Sequence, residues 1–141
     1  MDHLAILNKK KQWLNKILSC KKTIESRWYK YQRTPWNNIK ADDIIYFKNS
    51  GEPVTAKAEV EKVLFFDHPN EQEIKALLKN YAKQICISKA YKTEYAKYNY
   101  ITLVFLKNPR VIKPFHINKQ GFGNMAAWIK LENIEKIKRL V

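Results

Sequence analysis

The six residues Lys22-Thr23-Ile24-Glu25-Ser26-Arg27 hold the densest set of groups in this sequence that could do chemistry. Thr23, Glu25 and Arg27 recur at every second position. On an extended strand they share one face, with Ile24, Ser26 and Trp28 on the other. Glu25 and Arg27 then lie about 7 Å apart, roughly twice the strand rise. With Lys22 directly before them, they offer donors, an acceptor and two positive charges in one small region. Such a set can hold a base edge and a phosphate, or poise a lysine beside a carboxylate. The same pattern also suits a solvent-facing strand whose ion pair contributes only about 0–1 kcal/mol.

Two further stretches carry candidate binding groups. In Asn118-Lys119-Gln120-Gly121-Phe122-Gly123-Asn124, two of the chain's three glycines flank Phe122. Such a loop can present the ring for base stacking, with Lys119 placed for a phosphate. It can equally be a turn that packs Phe122 into the core. The run Trp28-Tyr29-Lys30-Tyr31-Gln32-Arg33, leading to Trp36, interleaves aromatic and basic residues. That suits single-stranded nucleic acid, and also a barrel rim with half-buried rings and snorkelling lysines.

Other chemistries find little support. His3, His68 and His116 are scattered and match no metal-ligand spacing, so no metal is expected. No glycine-rich phosphate loop or nucleophile elbow occurs, and no cofactor is called for. Cys20 and Cys86 form no CxxC pattern and read as free thiols. Lys21 and Lys22 could lower the pKa of Cys20, but no base partner is recognisable.

These groups need elements to position them, and 141 residues with 45% hydrophobic content suit one domain, residues 1–141. His3–Leu7 reads as a strand, and Lys9–Ser19 as a helix with Trp13, Leu14, Ile17 and Leu18 on one face. Thr23–Tyr29 and Asp43–Lys48 read as strands. The turn Thr34-Pro35-Trp36-Asn37 lies between them, and Asn49-Ser50-Gly51 ends the second. Along 54–66 the apolar phase slips between Val60 and Val63, which predicts a bulge near Glu61-Lys62. Asn70 and Glu73 form a capping box for a helix through Ile85. The state of 88–97 is not legible. Tyr98–Leu106 reads as a strand buried on both faces. Val111–Phe115 is extended and stops at Pro114, and Leu131, Ile134 and Ile137 suggest a short C-terminal helix. Five or six strands and about three helices in mixed order fit α+β, a small partly closed barrel flanked by helices.

The net charge of +14 favours a polyanionic partner, chiefly nucleic acid. It is equally compatible with a solvated lysine-rich surface. No signal segment is visible, and the longest strongly apolar run, 101–106, is too short to span a bilayer. A soluble cytoplasmic protein without membrane partners is expected.

The segment Ile17-Leu18-Ser19-Cys20-Lys21-Lys22-Thr23-Ile24-Glu25-Ser26-Arg27 resembles the signature of ASCH domains, a family of the PUA-like superfamily. Ile39-Lys40-Ala41-Asp42-Asp43-Ile44-Ile45-Tyr46-Phe47 resembles the element that follows it. Segments 114–123 and 126–129 are similar to the C-terminal part of one branch. The resemblance implies a PUA-like β-barrel ringed by helices, with a cleft that binds RNA or a nucleotide-like ligand. Lys22, Arg27 and Lys119 would meet phosphates or base edges. Glu25 would accept from a base or orient Arg27, with Thr23 beside it, and Phe122 and Trp28 would stack. Another branch is a small amidohydrolase acting on N4-acetylcytidine, in which Lys22 would be the catalytic lysine. That branch has threonine where this chain has Glu25, and Glu59 and Glu61 are candidates for its separate glutamate. A protein-interaction domain using the Tyr-rich surface is the third alternative. Cys20 and Asp42 stand where the family has glycine, so each is expected to meet a left-handed backbone at some cost.

Overall fold

The computed structural model describes residues 1–119, 121–122 and 126–139. In chain order the regular elements are β1 Asp2–Leu7, α1 Trp13–Leu18, β2 Ile24–Tyr29, β3 Ile44–Asn49, β4 Val54–Asp67, α2 Glu71–Ile85, β5 Tyr100–Phe115 and β6 Trp128–Leu131. The six strands form one sheet in the order β2-β5-β4-β3-β1-β6. The β1–β3 pair is parallel and the others are antiparallel.

The sheet curls into a half-barrel, and the long β4–β5 pair bends it. Its register shifts between Val54 and Ala56, between Lys57 and Glu59, and between Val60 and Lys62. The last shift is the bulge expected from the sequence. Val60 opposes Leu106 and Lys62 opposes Phe105, so Glu61 is the extra residue. Before it, Val54, Ala56, Ala58 and Val60 are fully buried. After it, Val63 packs inside the curl, while Leu64 and Phe66 pack toward α2.

Each helix covers one face. Leu14 and Ile17 of α1 plug the concave side against Phe47, Ala58, Val60 and Val104. Ile74, Leu77, Leu78, Ala82 and Ile85 of α2 pack on Ile24, Ile101 and Leu103 outside. The apolar run in β5 follows from this, because Ile101 and Leu103 face α2 while Val104 and Leu106 face inward. The capping box that starts α2 is present in both directions, from Asn70 and from Glu73.

Three sequence expectations need correction. The helix expected over 9–19 is a 3-10 turn, Lys9–Lys11, followed by the short α1, with Gln12 left-handed at φ 58° between them. Three lysines at a helix N-terminus oppose the helix dipole, which disfavours one continuous helix. Pro114 does not end a strand, because 100–106 and 111–115 are one strand of 16 residues. Beyond Phe105 that strand pairs with β4 alone, and an edge tolerates the missing N–H of Pro109 and Pro114. Leu131 ends a strand, β6, instead of starting a helix, and Ile134–Ile137 is a 3-10 turn. The segment that was not legible contains a further 3-10 turn, Thr93–Lys97. Cys20 and Asp42 do adopt left-handed backbone, at φ 62° and 73°.

Candidate functional site

β2 is an edge strand, and its inward face carries Glu25 and Arg27, opposite Val104 and Thr102 of β5. Arg27 shows how far the sheet curls. Its Nη2 donates to the carbonyl of Ile6 in β1 at 3.4 Å, and its Nη1 donates to the carbonyl of Ala127, just before β6, also at 3.4 Å. β2 and β6 are the two ends of the sheet. The guanidinium therefore spans the seam, lying 5.0 Å from the centre of the Trp128 ring.

Glu25 is buried beside it. Its Oε2 is 3.5 Å from Arg27 Nη2, and its Oε1 accepts from the Ser26 N–H at 3.0 Å. Lys22 stands on the other side, with Nζ 3.6 Å from Glu25 Oε1. Lys22 is only 2% exposed. Its Nζ donates to the Ile85 carbonyl at 2.7 Å, where α2 ends, and lies 4.6 Å from the centre of the Trp13 ring. Burial pushes its pKa below the usual lysine range, and the Glu25 carboxylate opposes that shift without cancelling it.

A cleft of about 280 Å³ opens at the seam, lined by Ile6, Leu7, Asn8, Trp13, Glu25, Ser26 and Arg27. A second hollow of about 440 Å³ lies on the other side of β2, lined by Trp28, Tyr29, Ile87, Tyr95, Tyr98 and Ala127 together with the same Ser26 and Arg27. The Trp28 ring sits 5.0 Å from Tyr95 and 6.0 Å from Tyr98, and its Nε1 donates to Ser26 Oγ at 3.0 Å. A polar hollow and an aromatic hollow thus meet across a ridge made by two residues.

The structure gathers part of the set named from the sequence. Glu25 and Arg27 line the cleft, and Trp28 lines the aromatic hollow. Lys22 touches Glu25 from behind but does not line the cleft. Thr23 departs from the expected shared face because β2 begins only at Ile24, and its side chain lines a separate hollow. Lys119 donates to the Ala126 carbonyl at 3.1 Å, and Phe122 is 42% exposed. Neither lines either hollow at β2. Gln120, Gly123 and Asn124 of the same loop lie outside the described residues. Glu59 pairs with Arg110 at 2.8 Å, and Glu61 is exposed at the bulge, so neither reaches Lys22.

Sequence reasoning missed Asn8, Trp13, Tyr95 and Tyr98 as lining residues. Trp13 reads as core because it shares a helical face with Leu14 and Ile17. Tyr95 comes from a stretch with no legible period, where enrichment in tyrosine was the one available signal, and Tyr98 reads as the first residue of the strand that follows.

Among the described residues, no three His, Cys, Asp or Glu side chains gather as a metal site, and no helix is long and apolar enough to cross a membrane. No curated protein matches the sequence. The fold is similar to that of an ASCH protein from Zymomonas mobilis, with a TM-score of 0.66 at 18% identity over 96% of this chain and 90% of that one. A serine-to-alanine variant of that protein gives 0.65 at 19% identity, covering 96% and 91%. The hypothetical protein PH0355 is similar at a TM-score of 0.52 and 19% identity, over 79% of this chain and all of that one. The ASCH domain model matches residues 7–110, from the end of β1 through most of β5, and by that match this chain belongs to the ASCH domain family.

Proposed function

We propose that this chain, acting as one domain over residues 1–141, binds single-stranded RNA at the β2 seam. One observation carries the reading: the polar and the aromatic hollow adjoin and share Ser26 and Arg27. Stacking surfaces next to a charged hydrogen-bonding floor suit unpaired bases, whose edges and faces are both free. Arg27 has donors for a base edge or phosphate, and Glu25 accepts from a base amine. Trp28, Tyr95 and Tyr98 offer stacking surfaces. The net charge of +14 and the association of the PUA-like ASCH family with RNA support the same reading. Lys22 positions Glu25 in it, while Thr23, Lys119 and Phe122 line neither hollow.

The test is the anisotropy of a labelled RNA pool across a salt series. Affinity should fall steeply with salt. Arg27→Ala should weaken binding by about 10- to 150-fold, the equivalent of about 1.5–3 kcal/mol for a charged hydrogen-bonding group. Unchanged affinity in a folded Arg27→Ala protein, or no binding to any RNA at low salt, would overturn the proposal.

A hydrolytic reading keeps one supporting observation, a lysine held below its usual pKa beside a carboxylate. Against it, Lys22 Nζ is enclosed by the Ile85 carbonyl, Glu25 and Trp13. Release of cytidine from N4-acetylcytidine at a rate that Lys22→Ala abolishes would favour hydrolysis over simple binding.

A further inference from the structure

On the far side of the α1–β2 junction lies a hollow of about 480 Å³ that the seam does not use. Lys21 and Lys89 line it, with Lys79 and Lys83 from α2 and with Cys20 and Thr23. No aspartate or glutamate lines it. Some lysines of this chain find partners, with Lys22, Lys75, Lys107 and Lys138 in ion pairs, while others such as Lys10, Lys11 and Lys113 do not among the described residues. Lys21, Lys79, Lys83 and Lys89 make no ion pair, side-chain hydrogen bond or ring contact among the described residues. Lys79 and Lys83 sit at i and i+4 on α2, where like charges disfavour a helix. Lys83 in the last turn suits the helix dipole, but that does not explain Lys79 one turn earlier. A concave surface lined by one sign of charge focuses the field and concentrates counter-ions.

We infer that this hollow is a second phosphate-backbone site, which holds the sugar–phosphate chain of an RNA whose bases engage the seam. Four ammonium groups without a competing carboxylate suit phosphodiesters, because lysine meets phosphate as a point charge and needs no fixed orientation. Without aromatic lining the hollow supplies no stacking, so its contribution is independent of sequence. Thr23 at its wall is two residues from Glu25 of the seam cleft, so one short chain segment contributes to both sites. The inference rests on the RNA reading and extends it to a longer ligand.

The experiment compares wild type with a variant carrying Lys21→Gln, Lys79→Gln, Lys83→Gln and Lys89→Gln. Binding of a labelled oligouridylate of about twelve nucleotides is followed against salt. Uridine monophosphate serves as a ligand for the seam alone. Each lost phosphate contact flattens the log–log salt slope by about 0.7 on a single strand, so four predict a change of about 2–3. Mononucleotide affinity should not change. Cys20 is an exposed native reporter in the hollow, and saturating oligouridylate should slow its alkylation, located by mass spectrometry, in wild type but not in the variant. An unaltered salt slope, or alkylation of Cys20 unaffected by bound RNA, overturns the second site while leaving the seam standing. Loss of mononucleotide binding in Arg27→Ala, with the oligonucleotide slope preserved, supports two separate sites. A wild-type protein that binds neither probe overturns both readings.

Discussion

Lys22→Met tests whether Lys22 and Glu25 act as one buried unit. The substitution keeps the length of the side chain and removes its charge. It leaves the Ile85 carbonyl without the donor now 2.7 Å away, and Glu25 without the cation now 3.6 Å away. Removing one partner of a buried pair typically costs about 3–5 kcal/mol. Here Glu25 keeps Arg27 at 3.5 Å and the Ser26 N–H at 3.0 Å. The expected loss is therefore at the low end, about 3 kcal/mol. Glu25→Gln should cost about 2–3 kcal/mol, because it strands a buried ammonium. The double variant has neither charge left to strand. Its loss should fall short of the sum by at least about 1 kcal/mol. Urea unfolding followed by tryptophan emission and circular dichroism measures all three. Losses that add within about 0.5 kcal/mol would refute the coupling.

The pH dependence supplies a check of sign. Burial holds the Lys22 pKa in the folded protein below its unfolded value near 10.5. Between those two values the unfolded chain binds the extra proton, so stability rises with pH across that window. Below the folded pKa, the cost of the buried cation is present in full. The difference curve between wild type and Lys22→Met should therefore show a rise toward pH 10.5 that the variant lacks.

Two further outcomes follow from buried groups outside the seam. His3 Nδ1 accepts from Trp128 Nε1 at 3.0 Å, so its Nε2 carries the proton toward Asp43 Oδ2 at 2.8 Å. Burial lowers the His3 pKa against the pull of Asp43, so stability should be lost as pH falls below about 6.5, and His3→Gln should flatten that loss in urea titrations. Burial raises the Asp43 pKa, but the hydrogen bonds from His3 and the Lys40 N–H outweigh it, and a second loss should follow below about 3.8. Cys20→Gly should raise stability by about 1 kcal/mol by relieving the left-handed backbone at φ 62°, and thermal unfolding without reductant dependence measures it.

The sequence by itself determined whatever rests on local periodicity and capping. The slip of apolar phase past Val60 located the bulge near Glu61-Lys62, because one extra residue must exchange the faces of a strand. Asn70 and Glu73 marked the start of α2. Alternation put Glu25 and Arg27 on one face, since neighbouring side chains of a strand point oppositely. Tertiary structure decided everything that depends on distant segments meeting. Only the curl of the sheet brings Ile6 and Ala127 within reach of Arg27. Only the packing of α2 places the Ile85 carbonyl on Lys22, which leaves that lysine buried against Glu25. The same packing sets Lys79 and Lys83 beside Lys21. Thr23, Lys119 and Phe122 line neither hollow for that reason: residue type and spacing fix which face a side chain takes, but the closure of the sheet fixes what stands opposite it.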